Sequence, residues 1–295
     1  MSETEMLARF DLRAWPGSVD PALRDAAAAA LEVGSVLVFP SLAFELDADE
    51  RALVRAAGSD GSAKNISLDP ATGVCKGSTL ESEALGRLAA MLDRFGRQAQ
   101  GLVAALEPGY AAGLVRGRTS FRPTEIKGRS SSWRKDDRRL HVDAFPSRPT
   151  RGQRILRVFC NIDPEGRPRI WRVGPDFETY ARQFLPGFRP PLPGQAWLLH
   201  RVGVTRGVRS RYDAVMLFLH DAAKRDLAWQ RSAAAEEVAF APGTTWMTFT
   251  DQVPHAALAG CHALEQTFHV APEALAQPAR APLGVLERLC GRALV

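Results

Sequence analysis

The chain has 295 residues, 45% of them apolar, with 38 Lys and Arg against 33 Asp and Glu for a net charge of +5 and a pI near 9.3. That composition supports a sizeable core and excludes wholesale disorder. No apolar run approaches the roughly 20 residues of a membrane span, the N-terminal MSETEMLARFDLRAW lacks the layout of a secretory signal, and the four cysteines (Cys75, Cys160, Cys261, Cys290) form no CxxC pair, which excludes a zinc knuckle or a dithiol redox site.

A cytoplasmic compartment is therefore expected. The positive surplus is carried by Arg rather than Lys. Guanidinium forks suit carboxylates and phosphates, so an anionic substrate or an acidic lipid surface fits the balance.

In chain order, Asp20-Pro21 opens a helix, with Asp as cap and Pro at the first helical position, and Gly34 stops it. Ser35 to Phe39 reads as a short buried strand. Asp47 with Glu50 makes a capping box for a helix running to about Gly58. Lys64 to Ser78 reads as strand and loop. Ser78 with Glu81 suggests another capping box, followed by the longest helix, about 79–107. Leu85, Leu88, Leu92, Phe95, Leu102 and Leu106 recur along it at helical spacing, which marks a core-facing stripe.

Arg116 to Arg139 is basic and loop-like, and it feeds directly into His141. Gly152 to Asp163 reads as a strand. Its face Leu156, Val158, Cys160 and Ile162 is wholly apolar and calls for cover by the long helix; its other face carries Arg157 among large side chains. An inward Arg demands an anionic partner. Pro168 to Val173 is the next strand. Asp176 starts a short helix, and Ser210 to Gln230 reads as one more. Thr244 to Phe249 and Ala263 to Val270 are strands, and a closing helix begins at Pro282. A helical N-terminal part (1–115) thus packs on a strand-rich core (116–295) interrupted by a helical insertion at about 176–230. The expected fold class is α+β: a single domain over 1–295 with a double-stranded β-helix, or jelly-roll, core.

The chemistry centres on His141-Val142-Asp143. Residues two apart on an extended strand share a face, so this His and Asp can grip one ion together. A third ligand is expected from His255, 114 residues later and just past a strand; His262, at a Gly260-Cys261 turn, is the rival. Two imidazoles and one carboxylate, without thiolate, favour Fe(II) with open positions for a bidentate 2-oxo acid and O2. The far carboxylate of such a co-substrate needs a cation, for which Arg157 is the first candidate and Arg154, on the opposite face, the second. His220 and Lys224 share a helical face from which a substrate contact is conceivable.

The blocks HVDAFPSRP, RILRVFCNIDPEGRPRIWRVG, YDAVMLFLHDAAKRDLAWQ, PGTTWMTFTDQVPHA and ALEQTF resemble the Kdo hydroxylases, and the likeness extends from KNISLDPATG near residue 64 to PLGVLERL at the end. HxDAFPxxP and LHDxxKxD are its specific parts. The resemblance implies a jelly-roll dioxygenase dependent on Fe(II), 2-oxoglutarate and O2. It would hydroxylate position 3 of the Kdo sugar of the lipopolysaccharide inner core, attached to lipid A, to give Ko. The family's metal ligands carry over to His141, Asp143 and His255. Family enzymes often set an Arg shortly after the distal His; Leu264 to Thr267 has none, leaving Gln266 and Thr267 as polar contacts for the co-substrate. Arg129, Arg134, Lys135, Arg138 and Arg139 would steer the anionic head group of a lipid-borne sugar, with a peripheral visit to the cytoplasmic face of the inner membrane.

Two other classes predict different behaviour. A metal-dependent hydrolase on the same ligands would work with zinc and without O2. A basic nucleic-acid-binding module would show strongly salt-dependent binding and indifference to His141; no recognised nucleic-acid motif supports it.

Overall fold

The structure, a computed structural model, describes residues 5–61, 65–128 and 131–295. The first part runs β1 (Leu7–Arg9), α1 (Pro21–Val33), β2 (Val36–Phe39), α2 (Ala48–Ala56), β3 (Ile66–Leu68), β4 (Cys75–Lys76), α3 (Ser82–Leu106) and β5 (Leu114–Arg122). Then follow β6 (Arg154–Asn161), β7 (Arg169–Val173), α4 (Phe177–Phe184), α5 (Gln195–Arg201), α6 (Arg211–Arg225) and α7 (Leu227–Ser232). The chain closes with β8 (Glu236–Phe240), β9 (Thr245–Phe249), β10 (His255–Ala259), β11 (Ala263–Val270) and α8 (Pro282–Cys290).

The strands form two sheets. The larger has the order β1-β2-β9-β6-β11-β5-β3-β4, the smaller β10-β7-β8. All pairings are antiparallel except β1 with β2. The sheets face each other across an aromatic layer in which Trp246 stacks on Phe159 at 5.2 Å and on Phe240 at 4.0 Å. The helices α1 and α3 cover the outer face of the larger sheet. There Leu156, Val158, Cys160 and Ile162 of the β6 region join Leu88, Leu92, Phe95 and Leu102 of α3 in one core, as the alternation in β6 requires. Burying each such side chain contributes about 1.5–3 kcal/mol.

Local chemistry explains most boundaries. Asp20 caps α1, accepting from Ala22 N at 2.8 Å, and Gly34 ends it at φ 100°, a conformation that Cβ-bearing residues avoid. The Asp47–Glu50 capping box on α2 is formed in both directions.

Four readings of the sequence need correction. The Ser78–Glu81 capping box does not form: Ser78 Oγ accepts from Leu80 N at 3.0 Å, and α3 starts at Ser82 with no side-chain cap. The basic stretch 116–139 is not all loop, because its start belongs to β5, an interior strand paired with β11 and β3. Its arginines hid the strand pattern, and carboxylates hold them: Arg116 meets Asp93 at 2.9 Å and Arg122 pairs with Glu265. Gly96 makes room for this, since a Cβ there would stand 2.0 Å from the Arg116 guanidinium and 2.6 Å from Gln266 Oε1. The helix expected over 210–230 breaks at Asp226, which caps α7 by accepting from Trp229 N at 2.9 Å. Finally, β8 and β10 went unread. The 115/116 boundary falls inside β5, and β1 to β4 extend the same sheet as the later strands.

Candidate metal centre

Residues 141 and 255 face each other as an isolated antiparallel bridge at the edge of the smaller sheet. His141 N donates to His255 O at 3.1 Å and His255 N to His141 O at 2.9 Å. The late histidine is thus delivered beside the early one by backbone pairing. Asp143 is fixed in turn by its N–H donating to Thr250 O at 2.8 Å, at the end of β9. One ligand atom from each of His141, Asp143 and His255 lies within 4.8 Å of the others, and His141 Nε2 stands 3.9 Å from Asp143 Oδ1.

Both imidazoles are oriented from behind. His141 Nδ1 donates to Arg139 O at 2.7 Å and His255 Nδ1 to Val253 O at 2.9 Å, which leaves each Nε2 without a proton and aimed at the cluster. Trp171 stacks on His255 at 5.1 Å, and His220 sets its ring edge-on to His141 at 5.3 Å. Burial drives the His141 pKa down, and the nearby Lys224 and His255 add to it; burial likewise lowers His255. Neutral imidazoles are what a metal requires. Burial alone would raise the Asp143 carboxyl, but Arg157 and the two imidazoles outweigh it and hold it well below the usual carboxylate range. Buried Asp143 Oδ2 lacks a hydrogen-bond partner of good geometry. Two neutral nitrogens and an ionised carboxylate, with no thiolate, fit a divalent iron-type ion with free positions on one side.

Arg157 points into this site. Its guanidinium reaches Asp143 Oδ2 at 3.2 Å and Glu265 Oε1 at 3.3 Å, and Glu265 also accepts from Arg122 Nε at 2.8 Å. Thr267 is paired with Arg157 across β11 and β6 and shares its face. Arg154 and Gln266 are not brought to the cluster. Arg154 is buried and held by Asp251 at 2.8 Å and Gln252 at 2.6 Å, while Gln266 lies opposite Val158 on the helix-covered face, bonded to Thr119 and Gly117. The rival ligand His262 sits in a separate group, with its Nδ1 3.1 Å from Asp163 Oδ2 and Cys261 beside it.

Of the basic residues expected to meet substrate, Arg129 lies outside the described residues. Arg134 pairs with Asp221 at 3.0 Å, and Arg138 and Arg139 pair with Asp136 at 2.8 and 3.6 Å. Lys135 is exposed. Lys224 is buried, donating to Arg134 O at 3.0 Å, and His220 bonds Asp221 at 3.0 Å. Of these, the side chains of His220 and Lys224 stand beside His141. A separate cleft of about 1200 Å³, bordered by Met6, Asp176, Arg182 and Arg280, contains none of the three metal-type ligands.

Sequence reasoning missed Glu265, Arg122 and Trp171. The signal for Glu265 was available: Arg157 needed an anion, and Glu265 lies on the face of β11 that alternation turns toward it. Trp171 carried no comparable signal, because its stacking depends on the β10–β7 pairing.

A family model described as 3-deoxy-D-manno-oct-2-ulosonic acid (Kdo) hydroxylase matches residues 14–293. No curated protein sequence matches. Among solved structures, the apo form of the Kdo hydroxylase KdoO, described as a non-heme Fe(II) alphaketoglutarate-dependent dioxygenase, superposes with a TM-score of 0.95 at 45% identity, covering 99% of this chain and 98% of that one. The same enzyme in complex with alphaketoglutarate and Fe(III) gives 0.94 at 44% identity, again over 99% and 98%. Its complex with succinate and Fe(III) gives 0.93 at 44% identity over the same shares. With a family match from residue 14 to 293 and this identity over nearly the whole length, the chain belongs to the Kdo hydroxylase family.

Proposed function

We propose that this chain is an Fe(II)- and 2-oxoglutarate-dependent dioxygenase that uses O2 to hydroxylate position 3 of the Kdo sugar in the lipopolysaccharide inner core, giving Ko. The observation that carries the reading is the convergence of His141, Asp143 and His255 within 4.8 Å, backed by the inward Arg157, in a chain of this family. O2 would be the oxidant: an iron ion held by these residues would activate it, 2-oxoglutarate would give up two electrons in becoming succinate and CO2, and the sugar C–H bond the other two, one oxygen atom going to succinate and one to the sugar hydroxyl.

The chain's own residues do the rest. His141 and His255 offer Nε2 because their Nδ1 protons are committed to carbonyls. Asp143 offers Oδ1 on the imidazole side while Arg157 engages Oδ2. Arg157, with Thr267 beside it, is the group we assign to the far carboxylate of 2-oxoglutarate; Arg154 and Gln266, on the other face of the sheet, take no part in holding it. Arg129, Arg134, Lys135, Arg138, Arg139, His220 and Lys224 are assigned to the anionic sugar and its lipid A carrier. The two facing sheets are read as a double-stranded β-helix and residues 1–295 as one domain, with β1 to β4 extending its larger sheet. Among the described residues no helix is long and apolar enough to cross a membrane. A cytoplasmic enzyme meeting its lipid-borne acceptor peripherally, at the inner membrane, suits that observation.

The test is direct. Purified protein with Fe(II), 2-oxoglutarate and isotopically labelled O2 should add one labelled oxygen to Kdo-lipid A and release succinate in step. Turnover with zinc alone, or product formed without O2, would replace the reading with a hydrolase.

A further inference from the structure

Nine large apolar side chains are exposed among the described residues, and five of them lie within one stretch of thirteen: Leu192, Trp197, Leu198, Val202 and Val204. Leu192 is 77% exposed and Trp197 59%. The stretch holds the short helix α5 between a Pro-rich turn and a loop. Such clustering is not the scattered single exposure that folded surfaces normally show.

The charge around it is one-sided. From Thr179 to Tyr212 the chain has no Asp or Glu but six arginines. Arg182 is paired with Glu178. Among the described residues, Arg189, Arg201, Arg206, Arg209 and Arg211 form no ion pair with a carboxylate, and all but Arg209 are exposed. An apolar tip carrying a Trp, collared by unpaired arginines, has the composition of a segment that enters a lipid headgroup layer.

The patch is also tied to the reaction centre. Arg206 N donates to Ser147 O at 2.9 Å and the Arg209 guanidinium to Pro146 O. Pro146 and Ser147 lie in the loop that follows Asp143 and runs on to β6 at Arg154.

We infer that this segment is a membrane foot: Trp197, Leu198 and their apolar neighbours insert among the headgroups of an anionic bilayer, the arginines hold lipid phosphates, and the lip of the Asp143 loop is set against the surface. The inference rests on the reading that the acceptor sugar is lipid-borne. A bilayer fits better than a protein partner, because five side chains fall far short of the roughly 20–30 residues a side of a stable protein interface. A continuous anionic plane also matches a collar with no acidic member. Each arginine at such a surface is worth about fivefold in partitioning.

The experiment is co-sedimentation of the full chain with phosphatidylcholine vesicles containing or lacking phosphatidylglycerol. Parallel assays use Kdo-lipid A in vesicles and a delipidated Kdo oligosaccharide. The wild type should bind the anionic vesicles at least tenfold more tightly than the neutral ones. Trp197→Ser/Leu198→Ser should lose at least tenfold, Arg201→Gln/Arg206→Gln a similar factor, and Leu227→Ser, equally exposed elsewhere, nothing. The double variants should raise KM for the vesicle substrate and leave the delipidated one unchanged. A wild type that hydroxylates the oligosaccharide but ignores anionic vesicles overturns the foot and spares the enzymatic reading. Vesicle binding without hydroxylation of either substrate does the reverse. Should Trp197→Ser/Leu198→Ser turn a dimer into a monomer while vesicle binding persists, the patch is a self-association surface and the inference falls.

Discussion

Arg157 Nη2 stands 3.2 Å from Asp143 Oδ2, and Nη1 of the same guanidinium stands 3.3 Å from Glu265 Oε1. One cation thus ties a metal-type ligand on the loop after His141 to a carboxylate on β11. The two oxygens of Asp143 take separate tasks: Oδ1 faces the imidazoles and Oδ2 the arginine. Against the burial that would raise them, Asp143 is held low chiefly by Arg157, and Glu265 first by Arg122 and then by Arg157. Glu265 further shares Arg122, so Arg157 keeps positive charge to offer a dicarboxylate co-substrate.

Arg157 and Arg154 are three residues apart on β6 yet predict opposite phenotypes. Arg157→Gln should weaken 2-oxoglutarate binding at least tenfold, read as the anaerobic titration midpoint, with Fe(II) still retained. Arg154→Gln should leave that midpoint unchanged per folded molecule. It should instead destabilise the fold by about 3–5 kcal/mol, because it strands buried Asp251, with Tm lower by on the order of 10 °C. An unshifted midpoint in Arg157→Gln would move the clamp to Arg122.

The iron site itself is tested with Fe(II) and then 2-oxoglutarate under anaerobic conditions. The wild type should develop a visible charge-transfer band. His141→Ala and His255→Ala should abolish it, and His262→Ala should keep it, since His262 is engaged with Asp163. A band that survives His255→Ala but disappears in His262→Ala would reverse the ligand assignment.

How much was legible in the chain follows from range. The caps at Asp20 and Asp47, the helix starts at Asp176 and Ser210 and the two faces of β6 are local signals, and the structure reproduces them. His141 with Asp143 is also local, although the expected strand is absent: His141 makes an isolated bridge and Asp143 lies in the loop after it, held by Thr250 O. The pairing of His141 with His255 spans the chain, and only the candidate ligand could be named in advance. Strand β5 was obscured because Arg116, Arg118 and Arg122 occupy positions that apolar residues usually hold; their partners Asp93, Asp69 and Glu265 lie far away in sequence. The Ser78–Glu81 box failed for the converse reason: the spacing was right, but Ser78 spends its hydroxyl on Leu80.

Arg134 offers a test of the basic segment that precedes His141. It pairs with Asp221, which holds His220 edge-on to His141. Arg134→Ala should raise KM for the sugar severalfold while the iron band persists, whereas Arg138→Ala, its guanidinium already closed onto Asp136, should change KM less. Equal and negligible effects would mean the segment is a solvated loop.

Glu107 makes stability depend on pH. It is buried at the end of α3, its Oε1 has no hydrogen-bond partner, and burial with the Glu32 carboxylate pushes its pKa up to about 8. In the unfolded chain it titrates near an ordinary value of about 4.3. Between these values the folded form keeps a proton that the unfolded form has lost, so stability is full below about pH 4.3, falls as pH rises, and levels off above about 8. Glu107→Gln removes this loss, because the amide stays neutral and can donate toward Glu32. Thermal melts should therefore show the variant ahead of the wild type by on the order of 10 °C at pH 8.5, with the gap closing toward pH 5. A gap that is constant with pH would show that Glu107 does not titrate in this range.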